Sequence, residues 1–218
     1  MNNTANVDSF KVNKDWSHRS SKDFWGEIAP SEHVVQIYEN DKVFLDLLHG
    51  FVSDGFDAGD CVIVIATHSH LQALDKRLAA SGFNLLEVLA KKVYFPLEAE
   101  TVLSKFMIND WPDEALFNQA VTDLIVQAGA KQFRAFGEMV ALLWAKGNVG
   151  ATVRLEHLWN KFCARQAFCL FCAYPQSGFT QDAGESIAHI CQAHSKLIAG
   201  VNQSQTEVFY KAVDKQIG

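Results

Sequence analysis

HVVQIYENDKVFLDLLHGFV, residues 33–52, decides the fold. It reads as a buried strand (HVVQIY), a tight turn at Glu39-Asn40-Asp41 and an amphipathic helix. Val43, Phe44, Leu47, Leu48, Phe51 and Val52 recur at three- and four-residue spacing and form one apolar stripe. Asn40 or Asp41 is placed to cap that helix. In an α/β protein, a first strand, turn and helix of this kind holds a ligand at the helix N-terminus. A phosphate-binding turn needs glycines, so that backbone amides approach the anion, and a lysine followed by Ser or Thr. This turn has no glycine. Its only lysine, Lys42, precedes Val43, and Glu39 and Asp41 put negative charge where a phosphate would sit. The place of a nucleotide site is kept, and its chemistry is missing.

Working outward, Gly55 and Gly59 are expected to end the helix and turn the chain into CVIVIAT (61–67), apolar on both faces as a central parallel strand is. Thr67 opens a second helix over 68–80. A third strand follows at VYFPL (93–97), with Pro96 marking its end or a sheet edge. The stretch 99–130 reads as two helices broken at Asp110-Trp111-Pro112. QFRAFGEMVALLW (132–144) starts as a strand and turns helical near Gly137-Glu138. Leu155, Leu158, Trp159 and Phe162 mark a helix over 149–165, and AFCLFCAY (167–174) is a fifth buried strand. A helix over about 183–198 and a polar helical tail complete the reading. Strand and helix alternate, so the expected fold class is α/β: a mostly parallel central sheet with helices on both faces, a three-layer sandwich. The expected organisation is a flexible arm (1–23), a single domain (24–198) and a tail (199–218). Phe24 and Trp25, in FWGEIAP, either cover a core edge or dock a partner.

The bulk numbers exclude several function classes. A chain of 218 residues, 49% hydrophobic, has enough apolar material for one large core. With a net charge of −6 and no Lys/Arg block, direct nucleic-acid binding is not expected. The longest apolar runs, 61–66 and 139–145, are too short to span a bilayer, and the polar N-terminus does not resemble a signal peptide. Five scattered cysteines fit reduced thiols in the cytoplasm better than a disulfide framework.

Ligands in such sheets bind outside the carboxyl ends of the strands. Those ends are Tyr38-Glu39, Thr67-His68, Pro96-Glu98, Gly137-Glu138 and Cys172-Tyr174, a polar rim around an apolar floor. Cys169 and Cys172 have C-x-x-C spacing, but residues three apart on a strand face opposite ways. Cys191 and His194 share a helical face, yet His189 does not join them, so neither a metal site nor a cofactor is expected. Cys172, near the rim, is the thiol to weigh as nucleophile, redox sensor or ligand contact, with His33 or His68 as its partner. His33 opens its strand, which sets it toward the opposite end from Cys172. Glu138 is either a ligand contact or a structural acid paired with Arg134 or Arg154. Trp111, Trp144 and Trp159, with Phe106, Phe117, Phe136 and Tyr174, supply aromatic walls for a small, weakly polar molecule.

HVVQIYEND (33–41), VIVIATHSH (62–70), FMINDWPDEALF (106–117), RAFGEMVALLWAKGN (134–148), RLEHLWN (154–160) and LFCAYP (170–175) together resemble the MEDS sensory domain, named for methanogens, methylotrophs and the dichloromethane-responsive regulator. The likeness covers roughly residues 24–180. It implies a RecA-like layout, similar to circadian-clock ATPase domains, with a degenerate phosphate-binding loop. It also implies signal input: such domains occur in bacterial and archaeal regulators, joined to histidine kinases or DNA-binding modules or standing alone, and are thought to sense simple hydrocarbon derivatives. The matching motif positions are His33, Gln36, Tyr38, Asp41, Thr67, Arg134, Glu138, Trp144, Glu156, Trp159, Cys172 and Tyr174. Glu98 stands where the family usually has Asp.

The candidate ligand-binding set is therefore His33, Gln36, Tyr38, Asp41, Thr67, His68, Arg134, Glu138, Trp144, Cys172 and Tyr174, with no catalytic residue and no metal. The expected function is a stand-alone sensor that binds a small organic molecule and acts on a signalling partner, a histidine kinase or regulator, without hydrolysing nucleotide. Two other classes compete with it. One is a Cys172-dependent enzyme or thiol redox sensor. The other is a scaffold subunit that forms a homo-oligomer or docks a partner through 1–30 and 199–218.

Overall fold

A computed structural model describes residues 15–129, 132–179, 184–201 and 207–213. The opening stretch folds as read. β2 (His33–Tyr38) is buried along its whole length, and α2 (Asp41–Ala58) follows it. The Asn40 side chain accepts the Val43 N–H at 3.1 Å, satisfying one of the amides a helix start leaves unpaired. Gly59, at φ 79°, ends the helix in the left-handed conformation that glycine adopts without steric cost. Gly55 does not end it. It lies inside the helix, where a Cβ would sit 2.6 Å from Val62 and 2.9 Å from Arg134, so it is glycine for close packing.

The chain continues through β3 (Cys61–Ala66), α3 (His68–Ala80), the short α4 (Leu85–Ala90) and β4 (Tyr94–Glu98). Then come α5 (Ala99–Leu103), a two-strand hairpin of β5 (Met107–Ile108) and β6 (Trp111–Pro112), and α6 (Glu114–Ala128). The break expected at Asp110-Trp111-Pro112 is that hairpin. β7 (Phe133–Gly137), α7 (Met139–Ala145), α8 (Val149–Gln166) and β8 (Cys169–Pro175) follow.

Both ends depart from expectation. α9 (Gly184–Ala193) stops short, and β9 (Lys196–Val201) and β10 (Glu207–Ala212) occupy the region read as helix and helical tail. β1 (Ser17–Ser20) pairs antiparallel with β10, so the second half of the expected arm is an edge strand leading into α1 (Ser21–Gly26). Residues 1–14 of that arm lie outside the described residues. Phe24 and Trp25 are buried, in keeping with cover for the core.

The eight-stranded sheet runs β1-β10-β9-β2-β8-β7-β3-β4. The pairs from β9 to β4 are parallel, and the β10 pairs are antiparallel. Pro96 sits on the β4 edge, where its missing N–H costs no ladder bond. The two faces bury separate cores. Val34, Phe44, Leu48, Phe51, Leu74 and Phe171 belong to one, which holds α1, α2 and α3. Val35, Ile63, Phe117, Leu155, Trp159 and Leu170 belong to the other, under α5 to α9. The period-2 alternation along β2 and β8 therefore decides which residues meet: His33 and Cys172 face the second core, Gln36 and Tyr38 the first.

Candidate functional site

At the carboxyl ends of the strands, Glu138 joins three elements. Its carboxylate accepts the Thr67 N–H at 2.8 Å and lies 2.8 Å from His70 Nδ1. His70 Nε2 lies 3.8 Å from Asp41, and the ring meets Phe44 edge-on, with Phe44 stacked against Tyr38. Burial lowers the His70 pKa, but the hydrogen bonds and charges of Glu138 and Asp41 outweigh it and raise the pKa above its ordinary value. Where a phosphate would need free amides and positive charge, this end of the sheet has a side-chain cap and acids. Tyr38, Asp41, Thr67 and Glu138 do come together here. His68 stays exposed, with its Nε2 3.0 Å from the Gln72 side-chain amide.

A groove of about 410 Å³ opens between α5, the last turn of α7 and the β5–β6 hairpin. Leu103, Met107 and Leu143 give it apolar wall, and Glu100, Lys146 and Asn148 give it polar wall. Among the described residues, none of the sequence-nominated set lines it.

Several nominated residues have other work. Arg134 lies near the amino end of β7, not at the rim. It donates to Asp60 at 2.8 Å and Asp54 at 3.1 Å and sits 5.4 Å over the Phe51 ring, fixing the end of α2. Trp144 donates its indole N–H to the Gly178 carbonyl at 2.6 Å, tying α7 to the turn after β8. The Gln36 amide is fully buried with no hydrogen-bond partner on either atom.

The expectation that His33 and Cys172 lie apart is overturned. In the β2–β8 register His33 pairs with Leu170, so Cys172 is two residues further along on the same face. His33 Nε2 is 3.3 Å from Cys172 Sγ. Cys172 is in mid-strand and wholly buried, not on the rim. Glu156 reaches in from α8, with Oε2 3.5 Å from both His33 Nε2 and His194 Nε2. His194, the first residue after α9, lies against His33 with ring centres 4.0 Å apart and the rings tilted by 41°. Tyr174 donates its hydroxyl to Glu156 Oε1 at 2.5 Å.

The electrostatics of this cluster follow from burial. Burial pushes the Glu156 carboxyl up to about 8, against the pull of the Tyr174 hydrogen bond. It lowers His194 to about 4, against the Ile190 carbonyl bond. Burial and then the Glu156 charge push the Cys172 thiol well above its ordinary value. The pair has the spacing of a Cys–His couple, but the thiol is held protonated and away from solvent. Cys169 faces the opposite core, as its spacing from Cys172 requires. Glu156 carries a signal in the RLEHLWN motif. By spacing His194 groups only with Cys191, and nothing local in the sequence points it at β2.

The sequence pattern described as MEthanogen/methylotroph, DcmR Sensory domain matches residues 32–195. This chain belongs to the MEDS family. Among solved structures the MEDS chain is similar to a KaiC-like protein from the hyperthermophilic archaeon Pyrococcus horikoshii OT3. The TM-score is 0.53 at 9% identity, over 78% of this chain and 72% of that one. At that identity the likeness concerns the fold, which is RecA-like. No curated protein matches the chain significantly. No described helix is long and apolar enough to cross a membrane.

Proposed function

We propose that this MEDS domain is a signal-input module that binds a small organic molecule at the carboxyl end of its sheet and alters a protein partner, without turning over nucleotide. The family is a sensory one by its description. The observation that carries the ligand class is the end of β2. A RecA-like frame keeps its helix N-terminus there, with Asn40 capping it and Asp41 and Glu138 beside it. That arrangement repels a phosphate. The groove between α5 and the end of α7, about 410 Å³ with mixed walls, is in the size range of small-molecule sites. A histidine kinase or a transcription regulator is the partner class that fits a sensory module.

A thermal-shift and calorimetric screen of small alcohols, amines, halocarbons and nucleotides tests the reading. One of the organic classes should stabilise the protein saturably, by about 2.7 kcal/mol at a hundredfold excess over Kd. Ser104→Trp, which fills the groove from an exposed position, should abolish that shift and leave the fold intact. Tight, magnesium-dependent ATP binding would overturn the proposal.

A further inference from the structure

We infer that His33, Glu156, Cys172 and His194 form a binding site for one divalent d-block cation of zinc's type. The site goes beyond the signal-input reading and is separate from the α5–α7 groove. It stands whether or not that groove takes a ligand.

The geometry comes first. One donor atom from each residue lies within 4.8 Å of all the others, and all four residues are buried. Zinc bonds of about 2.0–2.1 Å to nitrogen or oxygen and 2.3 Å to sulfur imply tetrahedron edges of roughly 3.3–3.6 Å. The cluster shows three such edges: 3.3 Å from His33 Nε2 to Cys172 Sγ, and 3.5 Å from Glu156 Oε2 to each histidine Nε2. At 3.5 Å the carboxylate–imidazole contacts are too long for good hydrogen bonds. They are the spacing of atoms that share an ion.

The second observation is the state of the donors. His194 Nδ1 lies 2.6 Å from the Ile190 carbonyl, which can only accept, so Nδ1 carries the proton and the neutral ring turns its Nε2 lone pair inward. That Nε2 and Glu156 Oε2 are both buried and lack a hydrogen-bond partner. Without a cation, only a proton on Glu156 can sit between these two atoms; a cation there gives both lone pairs a partner. The outer contacts are also those of a metal site: a backbone carbonyl orients one histidine, and the Tyr174 hydroxyl holds the free carboxylate oxygen. Two imidazoles, a thiolate and a carboxylate suit zinc-type ions and do not suit magnesium or calcium, which take oxygen ligands. Binding must release the Cys172 proton and the proton that Glu156 carries in the metal-free chain, both to solvent, and the cation supplies the positive charge that makes this favourable.

The test uses the full chain, without a polyhistidine tag, purified under reducing conditions. Elemental analysis should find about one equivalent of zinc. Chelated protein titrated with Co²⁺ should develop tetrahedral visible bands and a thiolate charge-transfer band. Cys172→Ser should lose the charge-transfer band, and Glu156→Gln should weaken binding more than about 100-fold, with circular dichroism reporting the fold. Tyr174→Phe keeps the packing and should weaken binding about 10–100-fold. It decides the matter if the other variants fail to fold. A folded chain that neither retains metal nor takes up Co²⁺ overturns the inference. So does a metal whose affinity and spectrum ignore Cys172→Ser and Tyr174→Phe, and such a chain keeps its four donors together by a shared proton alone.

Discussion

Tyr174 and Glu156 are joined at 2.5 Å, hydroxyl to carboxyl, with both side chains buried and β8 tied to α8 by the bond. The bond goes to a carboxyl that burial has driven up to about 8, so its loss is not compensated by water. Tyr174→Phe leaves the ring and its contacts with Trp144 and Phe179 in place. The variant should lose about 1–2 kcal/mol of stability in urea denaturation, with an unchanged m-value. A neutral result would mean that Glu156 is satisfied by another group.

Arg134 gives a prediction of the opposite kind, large in stability and absent in ligand response. Its guanidinium faces Asp54 and Asp60, whose side chains are mostly shielded from solvent. Arg134→Met would leave two carboxylates without their cation at the end of α2, a loss of about 2–4 kcal/mol after allowance for partial exposure. Because the residue lies near the amino end of β7, any ligand detected at the rim should bind the variant with wild-type affinity at temperatures where it is folded.

How much of this was legible in the sequence depends on the range of the interaction. The six-residue run CVIVIA and the stripe Phe44-Leu48-Phe51 announce a two-faced strand and a one-faced helix by local period alone. The C-terminal strands β9 and β10 carry no local pattern that separates them from a helix: Leu197 and Ile198 continue the apolar spacing of Ile190 in α9. Only pairing with β2 and β1 decides between strand and helix. His33 and Cys172 are 139 residues apart. Their meeting depends on the β2–β8 register, which no pattern within either strand encodes. The rim residues were easier, since a strand's carboxyl end is visible from its own flanks. The motif around Arg134 does not show at which end of its strand the residue acts.

The β2–α2 turn predicts a modest, specific loss. Asn40→Ala removes the bond to the Val43 N–H, and helix caps of this type are worth about 1 kcal/mol. Thermal denaturation should show that cost. The uncapped amides should still bind no nucleotide, since Asp41 and Glu138 remain; a gain of ATP affinity in this variant would mean that the cap alone had closed an otherwise intact phosphate site.

The thiols are expected to be slow. Burial raises Cys61 to about 11, Cys169 to about 12 and Cys191 to about 11. Cys172 is pushed well above its ordinary value by the same cause. Since the thiolate is the reactive form, a disulfide reagent at pH 8 should label the native protein far more slowly than the unfolded chain at all five positions. Fast labelling confined to Cys172 would restore the thiol-enzyme reading.

His70 should make stability depend on pH through the rim. Its folded pKa is raised: burial acts against the charge, but Glu138 and Asp41 together favour it more. A histidine with a raised folded pKa contributes stability that is fully present below the unfolded value of about 6.5 and is lost as pH rises through the folded pKa. His70→Gln keeps a polar group near Glu138 but cannot carry the charge. The difference in unfolding free energy between wild type and variant should therefore be constant at pH 5.5–6, shrink as the pH passes above 6.5, and level off once His70 is neutral in both states. Chemical denaturation at half-unit pH steps measures it. A difference that instead grows with pH would show His70 held neutral in the folded protein, with Glu138 stabilised by the Thr67 N–H alone.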